Sequence, residues 1–168
     1  RIANNGSLVS FGGTTPGADE QQINTTTSGT QDRPDVAALS TSATLPNGGF
    51  VFVWQSADAS NTGLFGQIYD INGVAQGGEF QVNSITSSNQ TDPVIVGLPN
   101  GGFAVAWSDA SGVDGSGTGV VLQKYFADGT RDGGPVVVNE EVSSTQSQPE
   151  LETLLNGTLV ATWTSTAS

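Results

Sequence analysis

One ten-residue pattern occurs three times in this chain, at residues 45–54, 98–107 and 154–163. The first two copies share Leu-Pro-Asn-Gly-Gly-Phe and a final Trp, and the third copy is more divergent. The three tryptophans that end the copies are 53 and 56 positions apart. A repeat of this length predicts that each unit is one supersecondary element, which buries its apolar face only against its neighbours.

Each unit contains four short extended runs that are separated by turn residues. In the second unit these runs cover residues 94–98, 102–107, 120–126 and 135–139. They are rich in Val, Ile, Phe, Trp and Tyr, no helical apolar period is present, and turns recur about every dozen residues. The Pro-Asn-Gly-Gly turn between the first two runs supplies the positive-φ positions of a tight hairpin.

Four antiparallel strands in a unit of about 50 residues are typical of a β-propeller blade. The alternative is a β-sandwich of irregular strands. We therefore predict an all-β fold made of β-propeller-type, four-stranded antiparallel blades.

We treat residues 1–168 as a single repeat domain. The phase of the repeat divides this domain into four parts. Residues 6–24 align with strands three and four of a blade, 25–83 and 84–139 with two full repeats, and 140–168 with strands one and two of a third. This is about three blades' worth of strands, whereas propellers usually have four to eight blades. We expect the fold to be completed by another copy, as a ring or a head-to-tail filament, or by neighbouring repeats of a longer chain.

The first unit is longer than the others near its start. Gln31 and Asn47 are 16 positions apart, whereas the equivalent Gln90 and Asn100 are 10 apart. We expect the six extra residues, around 35–41, at the first strand of that blade, where they form either a longer loop or a bulge.

The charge balance and the missing residue types exclude several functions. The chain has 16 acidic and 4 basic residues, a net charge of −12, which repels nucleic acid and anionic lipid and attracts divalent cations. No apolar run approaches the ~20 residues that a membrane span needs. The chain has no Cys and no His, which excludes disulfides, Ser-His-Asp and Cys-His catalysis and the usual zinc sites. It also lacks Met and starts at Arg1, so we expect a processed product or part of a longer chain.

Residues 48–83 carry the motifs Gly-Gly-Phe-Val-Phe-Val-Trp-Gln-Ser, Gly-Leu-Phe-Gly-Gln-Ile-Tyr-Asp-Ile-Asn-Gly and Gly-Gly-Glu-Phe-Gln-Val-Asn. This unit resembles a propeller-like repeat of about 50 residues in large bacterial type I secreted, adhesin-like proteins, which are often described as hemolysin-type calcium-binding. The resemblance covers residues 6–168. It implies an extracellular or cell-surface location and a structural or adhesive role. The Asp-Gly-Ser-Gly that often follows the Trp in that family is matched at 114–117, but the glycine-rich calcium-binding nonapeptide is absent.

Carboxylates are the remaining candidates for catalysis. Propeller glycosidases gather carboxylates at the inner ends of their first strands, and the residues in those positions are Asp35, Asp92, Glu150 and Glu152. These residues neighbour the prolines that begin the first strands, where Asp and Glu are common in turns. A glycosidase also needs two carboxyls at a set separation. We predict that the chain is not an enzyme, and a carboxylate-based glycosidase is the less favoured alternative.

The loop at residues 108–119 is the best candidate for cation binding. Asp109 and Asp114, together with hydroxyls and free carbonyls, are oxygen ligands of the kind that Ca²⁺ takes. The loop lacks the ligand spacing and terminal Glu of an EF-hand, and a flexible polar hairpin loop is the alternative. We predict that no cofactor is required, with Asp109 and Asp114 as the candidate Ca²⁺ ligands.

The repeated tryptophans have two interpretations. They are either sugar-stacking platforms of a lectin-like propeller that binds surface glycans, or core residues between blades. Their position at the end of an alternating strand favours the core. A lectin would also expose aromatic side chains in the loops at 55–66 and 108–119, where Phe65 is the one aromatic residue. The tryptophans in question are Trp54, Trp107 and Trp163.

Three asparagines are each followed seven residues later by glutamine, as in the pair Asn83 and Gln90. Because buried amides must find hydrogen-bond partners, we predict that these side chains bond backbone groups at the blade junctions. The sequence thus favours an extracellular structural or adhesive propeller module that is not an enzyme.

Overall fold

The computed structural model describes residues 22–59 and 61–166. This part of the chain contains ten β-strands, and none of its segments is a helix long and apolar enough to cross a membrane. The strands are β1 (Gln31–Leu39), β2 (Gly49–Ala57), β3 (Thr62–Asp70), β4 (Ala75–Gln81), β5 (Gln90–Gly97), β6 (Phe103–Asp109), β7 (Gly119–Tyr125), β8 (Arg131–Val137), β9 (Thr145–Thr153) and β10 (Leu159–Thr166).

The strands form three antiparallel sheets in which neighbours in sequence are neighbours in space. Strands β1–β4 make blade 1, β5–β8 make blade 2, and β9–β10 make a half-blade. The predicted all-β class, with four-stranded antiparallel blades of the propeller type, is therefore confirmed. Of the predicted strand pair at residues 6–24, residues 22–24 are described and the others lie outside the described residues.

The first strands of the blades are the inner strands. Strand β1 contacts β5, and β5 contacts β9. The approach is close, because a Cβ added at Gly97 of β5 would lie 2.2 Å from the carbonyl oxygen of Ala38 of β1. A side chain at position 97 would therefore separate the two strands.

The core lies between the blades, because alternate residues of a strand face opposite sides of its sheet. On β6, Phe103, Val105 and Trp107 pack in a cluster with residues of blade 1. The intervening Ala104 and Ala106 pack in a second cluster with residues of the half-blade. Blade 2 is consequently buried on both faces.

Aromatic side chains hold blades 1 and 2 together. The rings of Phe103 and Tyr125 are stacked with centroids 4.8 Å apart, and Phe80 of blade 1 packs against both. The Tyr125 hydroxyl donates a hydrogen bond to the Val82 carbonyl at 2.6 Å, and burial raises the pKa of Tyr125 to about 12. This ring is therefore a fixed contact between blades 1 and 2.

The tryptophans confirm the prediction of core packing where they lie within a complete blade. Trp107 is 2% exposed and Trp54 is 6% exposed. Trp163, on the half-blade, is partly buried.

The six extra residues of the first unit form a longer loop, but its predicted position was wrong. The loop follows β1 rather than lying within it, because Leu39 still pairs with Gly49 across the β1–β2 hairpin. Both β1 and β5 carry a bulge at the same place, so the first strands themselves match. A Cβ at Gly101 would lie 2.8 Å from Cβ of Ser42, which shows that the longer loop packs on the β5–β6 turn.

Candidate functional site

The inner strands line an open cavity of about 690 Å³ that lies at their bulges. Three equivalent tripeptides line it, each with proline in the middle, at residues 33–35, 92–94 and 148–150. Trp163 of β10 also lines the cavity. We call this space the axial cavity, and it is the main candidate site because it gathers polar side chains from all three sheets.

The residue before each of these prolines has a left-handed backbone. The φ angles are 49° for Arg33, 54° for Asp92 and 54° for Gln148. Non-glycine residues rarely adopt this conformation, which costs on the order of 1–3 kcal/mol and persists only where the surroundings hold it. The three strained residues therefore need a structural partner or a functional explanation.

Hydrogen bonds between blades supply that partner for two of the three. The Asp92 N–H donates to Oε1 of Gln55 at 2.7 Å, and the Gln148 N–H donates to Oγ of Ser108 at 3.0 Å. Gln55 and Ser108 are the residues that directly follow Trp54 and Trp107. Each blade thus uses the residue after its tryptophan to hold the strained residue of the next blade. This role was not predicted from the sequence, although a polar residue follows each of the three tryptophans and could have indicated it.

Two carboxylates of the axial cavity, those of Asp35 and Asp92, accept structural hydrogen bonds. Asp35 accepts the N–H of Val36 at 2.8 Å and the N–H of Ile95 in blade 2 at 2.9 Å. Asp92 accepts hydrogen bonds from the guanidinium of Arg33 and, at 3.3 Å, from the hydroxyl of Ser108. A general acid or base must instead be able to reach a proton on the substrate.

The structure brings together three of the four predicted carboxylates. Asp35, Asp92 and Glu150 line the axial cavity, as the position of the first strands predicted. Glu152 does not, because it lies two residues further along β9 and lines a second cavity of about 490 Å³ toward the other end of the inner strands. The prediction that all four residues share one site was therefore wrong for Glu152.

Of the candidate calcium ligands, Asp109 ends β6 and Asp114 lies in the β6–β7 loop, and each carboxylate has hydrogen-bond partners of its own. Asp109 is fully buried and accepts hydrogen bonds from the indole N–H of Trp107 at 3.1 Å and the N–H of Ser111 at 2.9 Å. Asp114 accepts from the Ser116 N–H at 3.1 Å and from Nδ2 of Asn139 at 3.0 Å. Among the described residues, no three Asp or Glu side chains are grouped so that they could hold a metal ion.

Asp58 of blade 1 occupies the position of Asp114. A Cβ at Gly63 would lie 2.8 Å from Oδ2 of Asp58, and a Cβ at Gly119 would lie 2.8 Å from Oδ2 of Asp114. Asp58 also accepts the N–H of Asn61 at 2.8 Å, which closes its loop. The carboxylate at this position therefore packs against the start of the third strand in both blades, which explains its recurrence without a metal.

We predict that Ca²⁺ has little effect on the stability of this protein. Saturation at 100 times the Kd of a site would add about 2.7 kcal/mol and raise the melting midpoint by several degrees. Because Asp109 and Asp114 already accept hydrogen bonds, we expect melting curves with Ca²⁺ and with a chelator to coincide. A rise of many degrees that Asp114→Asn removes would show a calcium site in this loop.

The repeated amides confirm the prediction that they bond the backbone near the blade junctions. Asn83 accepts the Leu64 N–H at 2.8 Å and donates to the carbonyl of Ile85 at 2.8 Å and to Oε1 of Gln90 at 2.9 Å. Gln90 in turn donates to the Ser87 carbonyl at 2.9 Å. One buried amide pair thus fixes the end of blade 1 and the linker that leads into blade 2.

Comparison with known proteins supports the fold. No protein-family model matches this chain, and no curated protein matches it. The crystal structure of an endo-arabinase from Bacteroides thetaiotaomicron is similar, with a TM-score of 0.50 and 15% sequence identity over 89% of this chain. This chain spans 55% of the endo-arabinase chain. At that identity the similarity concerns the fold alone.

Proposed function

We propose that this chain is an extracellular structural or adhesive repeat module that is not an enzyme and whose propeller is completed by self-association. The observation that carries the proposal is that two apolar side chains are exposed, although the equivalent side chains in other blades are buried. Val36 on β1 is 50% exposed, whereas the equivalent Ile95 on β5 is 6% exposed. Val160 on β10 is 43% exposed, whereas the equivalent Ala104 on β6 is 0% exposed. Apolar side chains at both ends of the row of blades are thus left facing outward.

The edge of β10 supports the same proposal. Strands β2 and β6 each have a third strand beside them, but β10 pairs with β9 alone among the described residues. An open strand edge is a template for pairing with another chain, and proteins usually cover it. The half-blade therefore needs strands three and four from elsewhere.

The described N-terminal residues lie where the end of such a strand pair belongs. The Tyr69 hydroxyl donates to the Ile23 carbonyl at 3.0 Å, just as Tyr125 donates to Val82 at the end of blade 1. Asn24 also donates to the side chain of Gln31, which repeats the amide pair of the next unit. The segment at residues 6–24 is hence our candidate for the strands that the half-blade lacks, supplied by a second copy or, in a longer protein, by neighbouring repeats.

Two further considerations support the remaining parts of the proposal. A structural role is favoured over hydrolysis because Asp35 and Asp92 hold the blades together through hydrogen bonds. The resemblance of residues 6–168 to adhesin-like repeats supports an extracellular or cell-surface location.

Light scattering on the purified 168-residue chain tests the proposal. We expect a mass of at least two copies of the 17.1 kDa chain. Negative-stain imaging then distinguishes closed rings from head-to-tail filaments. A monomer that remains well folded by circular dichroism across a wide concentration range would contradict self-association.

A further inference from the structure

The two junctions between neighbouring sheets of this protein have the same construction. Between blades 1 and 2, Val51 and Val53 of β2 lie in one buried cluster with Ile95 of β5. Between blade 2 and the half-blade, Ala104 and Ala106 of β6 lie in one buried cluster with Leu151 of β9. In both cases, two small or branched residues of a second strand cover one aliphatic residue of the next first strand.

The half-blade presents the first part of a third such junction. By strand register, Val160 and Thr162 of β10 are equivalent to Ala104 and Ala106 of β6. Val160 is 43% exposed and Thr162 is exposed, so this face lacks the cover that the other blades have. We call it the outward face of the half-blade.

Blade 1 presents the second part of the same junction. Val36 of β1 is equivalent to Ile95 and Leu151, since each pairs with the same position of its second strand. Ile95 is 6% exposed and Leu151 is 9% exposed, but Val36 is 50% exposed. The described part of the chain therefore carries both halves of a junction, and both halves are exposed.

The polar part of the junction is also present in two halves. At the two internal junctions, the residue after the tryptophan accepts the N–H of a left-handed residue in the next blade. Thr164, which follows Trp163, is exposed on β10. Arg33, with a φ of 49°, is the left-handed residue of blade 1.

We infer that the outward face of the half-blade binds the β1–β2 face of a second copy of this chain, with Val160 packed against Val36. In this junction, the Thr164 hydroxyl accepts the backbone N–H of Arg33 of the second copy. The inference rests on the self-association proposed above and specifies its contact. Because the contact is local to two neighbouring blades, it is the same in a closed ring and in an open filament.

A charged residue at either valine tests the inference. Val160→Lys is expected to abolish association at concentrations where the parent protein is oligomeric, because the junction would take the ammonium out of water at a position that small apolar side chains occupy in the other junctions. The separate chain tolerates the change, since residue 160 faces Glu152 across the β9–β10 pair. Val36→Glu should have the same effect from the other face. Val113→Lys is the matched control, because Val113 is 36% exposed in a loop of blade 2 and should leave the mass unchanged.

A double variant tests whether the two valines meet. In Val160→Lys with Val36→Glu, opposite charges face each other at the junction, and we expect oligomers to form again. If both single variants keep the mass of the parent, the inferred junction is wrong although self-association stands. If the parent itself is a folded monomer, the proposed function fails as well. If the double variant remains monomeric, the pairing of Val160 with Val36 is wrong.

Discussion

Replacing Trp107 with alanine is expected to lower the free energy of unfolding by about 3–5 kcal/mol, the usual cost of removing a large aromatic side chain from a core. Trp107 is 2% exposed and lies in the cluster that joins blades 1 and 2. Its indole N–H is also a donor to the buried carboxylate of Asp109 at 3.1 Å. The substitution therefore creates a cavity and removes a hydrogen bond from a buried charge. Urea unfolding followed by far-ultraviolet circular dichroism measures the loss.

The equivalent substitution in the half-blade is the control for this prediction. Trp163 occupies the same repeat position but is only partly buried. Trp163→Ala should consequently cost less than Trp107→Ala in the separate chain. A loss near zero for Trp107→Ala would place that ring outside the core and contradict the blade-to-blade packing described here.

The repeated motifs were sufficient to predict the blades, because hairpin turns and alternating strands are local features. The Pro-Asn-Gly-Gly turns lie between β1 and β2 and between β5 and β6, where Gly48 and Gly101 have φ angles of 75° and 86°. The core positions of Trp54 and Trp107 follow from the same alternation. Local periodicity thus determines which residues face a neighbouring blade.

The fourth strand of each blade was harder to predict. In the second unit its start was predicted at residue 135, whereas β8 begins at Arg131. Gly133 has a φ of 76° within the strand, beside a shift in the β7–β8 register. The register shift leaves Gln123 of β7 without a paired residue on β8. The buried side chain of Gln123 instead donates a hydrogen bond to the Gly133 carbonyl at 3.2 Å. A contact of this kind cannot be read from glycine spacing.

The candidate site could be predicted only in outline, for the same reason. The sequence placed Asp35, Asp92 and Glu150 at the inner ends of the first strands, and they do line the axial cavity. It did not show that Asp35 accepts the N–H of Ile95, which is 60 positions away in sequence. The partner of a carboxylate depends on how blades pack, and this decides between a structural role and a catalytic one.

Replacing Asn83 with alanine is expected to lower the free energy of unfolding by about 3–5 kcal/mol, although the side chain is small and polar. Asn83 is 1% exposed, and its partner Gln90 is 0% exposed. The substitution leaves the Leu64 N–H, the Ile85 carbonyl and the Gln90 amide oxygen without their present partner. Each buried polar group left unpaired costs roughly 1–3 kcal/mol.

The first unit supplies a matched control for Asn83→Ala. Asn24 makes the same pair of contacts, to the carbonyl of Thr26 and to the side chain of Gln31, but it is only partly buried. Water can replace those partners, so Asn24→Ala should cost no more than about 1.5 kcal/mol. Equal losses at both sites would show that burial is not what makes the amide pair important. If Asn83→Ala costs much more than Asn24→Ala, burial between two neighbouring blades is what makes the amide pair stabilising. An association that covers blade 1 should then raise the cost of Asn24→Ala toward that of Asn83→Ala.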